Sequence, residues 1–233
     1  MRLAAMLALA ALASSVGPTS PTRADAATAA TGAGLIAFTR ATGNGATTLY
    51  VVRADGSGLR RLSSAPVDSD PAWTPDGKRL VFASAPGGRA GAPELYVRDL
   101  AGRSVVRLTQ TPRNGARIVA NAEPVVAPDG KRVVFSRDSH RRGGARSRDL
   151  YSVAITGGAV RQLTRTSSRE SSPTIGRSGA LYFERDGWIY ETAHGKTRRV
   201  ARGVHPAKIR SSAASSPSPT PARSTSAAAD RRR

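Results

Sequence analysis

Asp70-Pro71-Ala72-Trp73-Thr74-Pro75-Asp76-Gly77-Lys78-Arg79-Leu80-Val81-Phe82 reads as two short strands and the reversal that joins them. Pro75 presets φ for a turn, and Asp76-Gly77 supports a tight change of direction. Leu80, Val81 and Phe82 supply the β-rich residues of the second strand. Downstream, Glu94-Leu95-Tyr96-Val97-Arg98-Asp99 gives a third strand, and Arg107-Leu108-Thr109 ends a fourth. The same order recurs along the chain. Ahead of its last residues the chain holds four phenylalanines, Phe38, Phe82, Phe135 and Phe183, spaced by 44, 53 and 48 residues, each closing a short β-rich run. Tyr50, Tyr96, Tyr151 and Tyr190 follow in turn, each behind Leu49, Leu95, Leu150 or Ile189.

Further landmarks keep the period. Asp70-Pro71, Glu123-Pro124 and Ser172-Pro173 open the first strand of a unit, here called strand A. Strand B carries the phenylalanine and strand C the tyrosine. Strand D ends at Leu62-Ser63, Leu108-Thr109, Leu163-Thr164 or Val200-Ala201. Pro128-Asp129-Gly130-Lys131 repeats the A-to-B turn, and Gly176-Arg177-Ser178-Gly179 is a decayed copy that keeps its glycine. Ala54-Asp55-Gly56 and Thr156-Gly157-Gly158 join C to D. A period of 40 to 50 residues with four strands per unit predicts an all-β propeller of about four blades. Phe38, Tyr50, Trp73, Phe82, Tyr96, Phe135, Tyr151, Phe183 and Tyr190 are the expected repeat core.

These residues resemble the repeat of TolB-type propellers. The resemblance rests on Pro71-Ala72-Trp73, on the run Pro75 to Phe82, on Glu94 to Asp99, and on Arg107-Leu108-Thr109, and it extends over residues 35 to 207. It implies a propeller fold and a protein or peptide partner. Related repeats occur in the propellers of prolyl-oligopeptidase-type peptidases, so a peptidase-associated remnant is a further reading. The TolB member also has an amino-terminal domain that contacts partners, and no stretch before Leu35 is long enough for one.

The remainder of the chain sets its expected organisation. Residues 1–26 read as a signal peptide: Arg2, an 11-residue apolar run from Leu3 to Ala13, and Ala24-Asp25-Ala26 as the cleavage site. Such a run is too short to span a bilayer, and no transmembrane segment is expected in the mature chain. Residues 27–34 form a linker, 35–208 the propeller, and 209–233 a Ser/Pro/Ala/Arg-rich disordered tail. The first unit lacks strand A, while Gly203-Val204-His205-Pro206-Ala207 resembles a supernumerary one. That segment either completes the first blade or marks a fragment of a larger ring.

Chemistry is sparse. There is no cysteine, which excludes thiolate metal ligands and disulfides. Gly195-Lys196-Thr197 lacks the earlier glycine of a phosphate loop, no G-x-S-x-G elbow exists, and His140, His194 and His205 form no i, i+4 pair. No catalytic residue, cofactor or metal is expected, and no nucleic-acid motif appears. The net charge of +20 falls to +19 without the signal, a balance that favours anionic polymers. The stretch from Arg137 to Arg148, expected as a B-to-C loop, concentrates Arg137, His140, Arg141, Arg142, Arg146 and Arg148 and is the candidate polyanion site. The expected function is an exported, non-catalytic interaction module that binds an envelope or secreted protein through face loops. Polyanion binding at the cell surface is the alternative.

Overall fold

Three A-to-B turns show how local chemistry sets this fold. In each, a glycine amide bonds the carbonyl three residues back: Gly77 to Thr74 (2.9 Å), Gly130 to Ala127 (2.9 Å) and Gly179 to Gly176 (3.0 Å). All three glycines have positive φ, of 66°, 66° and 84°, a region costly for side chains with a Cβ. The decayed turn therefore keeps the one residue its geometry needs.

The computed structural model describes residues 34–41, 45–88, 92–101, 104–111, 117–141, 144 and 146–206. Among them are fifteen strands and no α-helix. Blade 1 comprises β1 (Leu35–Ala41), β2 (Thr47–Arg53) and β3 (Arg60–Arg61). Blade 2 comprises β4 (Asp68–Trp73), β5 (Arg79–Ser84), β6 (Glu94–Asp99) and β7 (Val105–Arg107). Blade 3 comprises β8 (Arg117–Val126), β9 (Arg132–Arg141), β10 (Arg146–Ala154) and β11 (Arg161–Gln162). Blade 4 comprises β12 (Glu170–Ile175), β13 (Leu181–Arg185), β14 (Trp188–Ala193) and β15 (Lys196–Arg202). Blade 1 is a three-stranded sheet and the others are four-stranded antiparallel meanders in chain order. Strand C of one blade bridges strand A of the next at Thr47–Val67 and Arg148–Arg169.

The core lies between blades, and strand alternation assigns each side chain to one interface. Leu80 and Phe82 of β5 pack with Ala37, Leu49, Val51 and Leu62 of the first blade. Val81, between them, packs with Val133, Phe135 and Val153 of the third. Ala127, Val134 and Ile175 join blades 3 and 4. Each phenylalanine stands opposite its tyrosine in the B–C register and stacks on it, with centroids 5.8, 6.0, 6.1 and 5.8 Å apart along the chain. The expected aromatic core is thus only partly a core. Trp73, Phe82, Phe135 and Phe183 are buried, whereas Phe38 and the four tyrosines are half-buried. The fully enclosed aliphatics Leu49, Leu95 and Leu150, one residue before each tyrosine, share the role.

Two expectations change. The Arg137–Arg148 segment is not a loop: β9 and β10 run through it with paired register out to Arg146–His140, and β8 lengthens beside them to Arg117–Arg141. Cross-strand pairing with β8 holds extended a stretch whose composition alone suggests solvent. Secondly, Gly203 to Pro206 make no strand pairing with β1 among the described residues. Ala207, the expected signal peptide and the tail lie outside those residues.

Candidate functional site

The residue before each strand-A proline has a backbone conformation that the sequence periodicity does not reveal. Asp70, Glu123, Ser172 and His205 each precede a proline and each adopts positive φ, of 53°, 53°, 52° and 52°. Non-glycine residues seldom occupy this region. At the first three, the register with strand B slips by a bulge, which turns the backbone away from the ladder. The freed amide is then captured by the preceding blade. Glu123 N–H donates to Asp70 Oδ2 (3.2 Å), Ser172 N–H donates to Glu123 Oε2 (2.8 Å), and Ser172 Oγ lies 2.8 Å from His205 Nδ1. This relay of contacts links the inner strands of blades 2, 3 and 4 and then His205, at the end that carries the B-to-C and D-to-A connections. His205 repeats the positive φ and the following proline of the other three, while its own amide donates to Glu184 Oε2 at 3.4 Å.

This relay contains the one Ser–His contact among the described residues. It lacks the arrangement of a nucleophile and base, which needs a third group orienting the imidazole. The Glu184 carboxylate reaches the His205 backbone amide at 3.4 Å, not the ring. Sequence reading took Ser172 only as the opening of a strand A, because its slot is defined by backbone conformation, and serine occurs there once.

Above the relay stands the extended part of blade 3. Strands β9 and β10 have 10 and 9 residues, against 6 and 6 for β5 and β6 and 5 and 6 for β13 and β14. Of the candidate polyanion residues, Arg137 and Arg148 are engaged inside the protein. Arg137 donates to Asn121 Oδ1 (2.7 Å) and lies 4.6 Å over the Tyr151 ring. Arg148 pairs with Asp138 (2.5 Å) and Glu123 (3.5 Å). The Asp138 hydrogen bond, ahead of the nearby Glu123 and Asp70 charges, raises the Arg148 pKa further. Arg146 is exposed and His140 half-buried on the hairpin. Arg141 falls on β9, and Arg142 lies outside the described residues. The structure therefore brings Arg137, His140, Arg141, Arg146 and Arg148 to one hairpin, with Arg137 and Arg148 engaged inside the protein.

Two clefts lie elsewhere. One of about 340 Å³ opens at the tight-turn face between blades 3 and 4, lined by Ala127, Val134, Ile175 and Leu181 with Arg132 and Arg177. Another of about 410 Å³ is lined by Arg107, Thr109, Arg137 and Val160. Neither lining includes a nucleophile beside a histidine. No group of three or more histidine, cysteine or acidic residues that would hold a metal occurs among the described residues. No helix among them is long and apolar enough to cross a membrane.

A profile of the TolB beta propeller domain matches residues 29–187. The chain belongs to the TolB beta propeller domain family. The Tol-Pal system protein TolB of Bordetella pertussis is 39% identical to it over 56 residues, 23% of this chain and 12% of that protein. A solved structure described as TolB from Agrobacterium tumefaciens superposes with a TM-score of 0.60 at 20% identity, covering 74% of this chain and 64% of that one. A puromycin-hydrolyzing peptidase of Mycobacterium tuberculosis superposes with a TM-score of 0.54 at 18% identity, over 75% of this chain and 30% of the peptidase. At such identities the two superpositions show the fold. The chain spans less than two thirds of the length of each of these proteins.

Proposed function

We propose that this TolB-like propeller is an exported, non-catalytic binding module, and that its protein partner docks on the face formed by the B-to-C and D-to-A connections. One observation carries the reading: the two faces are built differently. The A-to-B turns each leave five residues between their strands and repeat in three blades. The opposite face carries the relay of Asp70, Glu123, Ser172 and His205 and, beside it, the lengthened hairpin of blade 3. Irregular additions to a rigid scaffold are where binding is usually found. Family membership favours an envelope partner, since the Bordetella relative is named for the Tol-Pal system.

Site-specific photocrosslinking tests it. A photoreactive residue at His140 or Arg146 should capture a discrete partner in the native host. The same probe at Lys131 or Arg177, on the tight-turn face, should not. Equal capture from both faces, or capture from the tight-turn face only, rejects the reading. The peptidase-related alternative is addressed by generic ester and peptide substrates, with Ser172→Ala and His205→Ala as controls. Turnover lost in either variant would overturn the non-catalytic assignment.

A further inference from the structure

The three blade junctions share one polar plan, and the first departs from it. At every junction a strand-D hydroxyl accepts a strand-C amide: Leu49 N–H to Ser63 Oγ (3.1 Å), Leu95 N–H to Thr109 Oγ1 (2.9 Å) and Leu150 N–H to Thr164 Oγ1 (2.9 Å). The following strand A then begins with a polar residue of no accessible surface: Asp68, Asn121 or Glu170. At the second junction the buried Glu94, and at the third the buried Glu170, receive a guanidinium. Arg107 lies 3.1 Å from Glu94, which also accepts from Asn121 Nδ2 at 2.8 Å. Arg185 donates twice to Glu170 Oε1, at 2.6 and 3.0 Å, alongside Thr164 and Thr166.

At the first junction neither oxygen of Asp68 has a hydrogen-bond partner, and both are inaccessible. Three sequence differences produce this. Two residues beyond the strand-B phenylalanine, where blades 3 and 4 have Arg137 and Arg185, blade 2 has Ser84. Asp68 is one methylene shorter than Glu170, whose carboxylate accepts the Thr164 hydroxyl. Arg61, which stands where Arg107 does in blade 2, donates to the Ser63 carbonyl at 2.6 Å and forms no hydrogen bond to Asp68. Burial pushes the Asp68 carboxyl up from its ordinary value, against smaller pulls from the Ser63 and Ser84 hydroxyls and the Arg61 charge. Thr47 Oγ1, on the strand that bridges Val67, is likewise buried without a partner.

We infer that the junction of blades 1 and 2 binds a monovalent alkali cation, which stands in for the guanidinium of the later junctions. A buried carboxylate needs a compensating charge, or it protonates. The groups beside the Asp68 carboxylate are the hydroxyls of Ser63 and Ser84. Hard oxygen donors select alkali or alkaline-earth cations over softer metals. One carboxylate balances one positive charge, whereas calcium sites draw on several. The position equivalent to Glu94 and Asp149, which would add that second charge, is Thr48.

The test is urea unfolding of the full chain at neutral pH and fixed ionic strength, with sodium or potassium chloride replacing N-methylglucamine chloride. Above its dissociation constant, each tenfold rise in the ion should raise the folding equilibrium constant about tenfold. Asp68→Asn should abolish the dependence. Ser84→Arg, which restores the guanidinium, should abolish it too while remaining as stable as the wild type in saturating ion. Unfolding that is identical in all three salts overturns the inference, as does a dependence that survives both substitutions. Should both variants fail to fold, sodium-23 line broadening by the wild-type protein, displaced by potassium, decides the matter: its absence overturns the site.

Discussion

Removing Arg185 tests the idea that the junctions are held by charge compensation. Glu170 is completely buried, and the Arg185 side chain is 18% exposed. In Arg185→Leu the carboxylate keeps Thr164 and Thr166 but loses both guanidinium bonds, leaving a buried charge without its partner. Breaking such a pair costs about 3–5 kcal/mol. The guanidinium also lies 4.5 Å over Tyr190 and 5.2 Å over Phe183, and cation–π contact adds about 0.5–2 kcal/mol. The leucine returns part of the packing, so a total near 4 kcal/mol is expected. Most of the cost belongs to the stranded charge, so Glu170→Gln in the Arg185→Leu background should recover the larger share. A double-mutant cycle by urea unfolding at fixed alkali-ion concentration measures both quantities. A cost below about 1 kcal/mol for Arg185→Leu, or no recovery in the double variant, refutes the reasoning.

Phe135→Ala should cost about 3–5 kcal/mol in unfolding free energy, and Phe38→Ala roughly half as much, because Phe38 is only half-buried. Arg148→Ser should lower the urea midpoint by removing the cation that Asp138 and Glu123 share, although Asp138 keeps Arg169, while leaving the salt concentration of elution from heparin unchanged; a fall in elution salt without a change in stability would reverse that assignment. The Thr74 hydroxyl and then the Lys78 amide hold the Asp76 carboxyl below its ordinary value. Its contribution is therefore present above the unfolded pKa of about 3.9 and lost as pH falls through the lower folded value. Asp76→Asn should flatten the acid limb of a plot of urea midpoint against pH, only in part because Asp55 and Glu191 are lowered as well. An unchanged acid limb would show that the Thr74–Asp76 bond contributes nothing to folding.

The repeat, its four strands and its turns were legible in the sequence because each depends on neighbouring residues. Pro-Asp-Gly sets a reversal locally, alternation within Leu80-Val81-Phe82 sets two faces, and the Phe and Tyr spacing sets the B–C register that the structure shows. The basic stretch was legible only as composition. Its conversion into strands comes from β8, which pairs with it across 15 or more intervening residues, and its charge is partly spent on Asp138 within the stretch and on Glu123 and Asn121, which lie apart in sequence. Ser172 and His205, 33 residues apart, share a positive φ that residue type announces only through the proline that follows. Asp68 reads as a loop residue in isolation. Its burial, and the absence of the arginine its counterparts possess, appear only when blades are laid side by side, since burial is a property of packing between blades and not of any one of them.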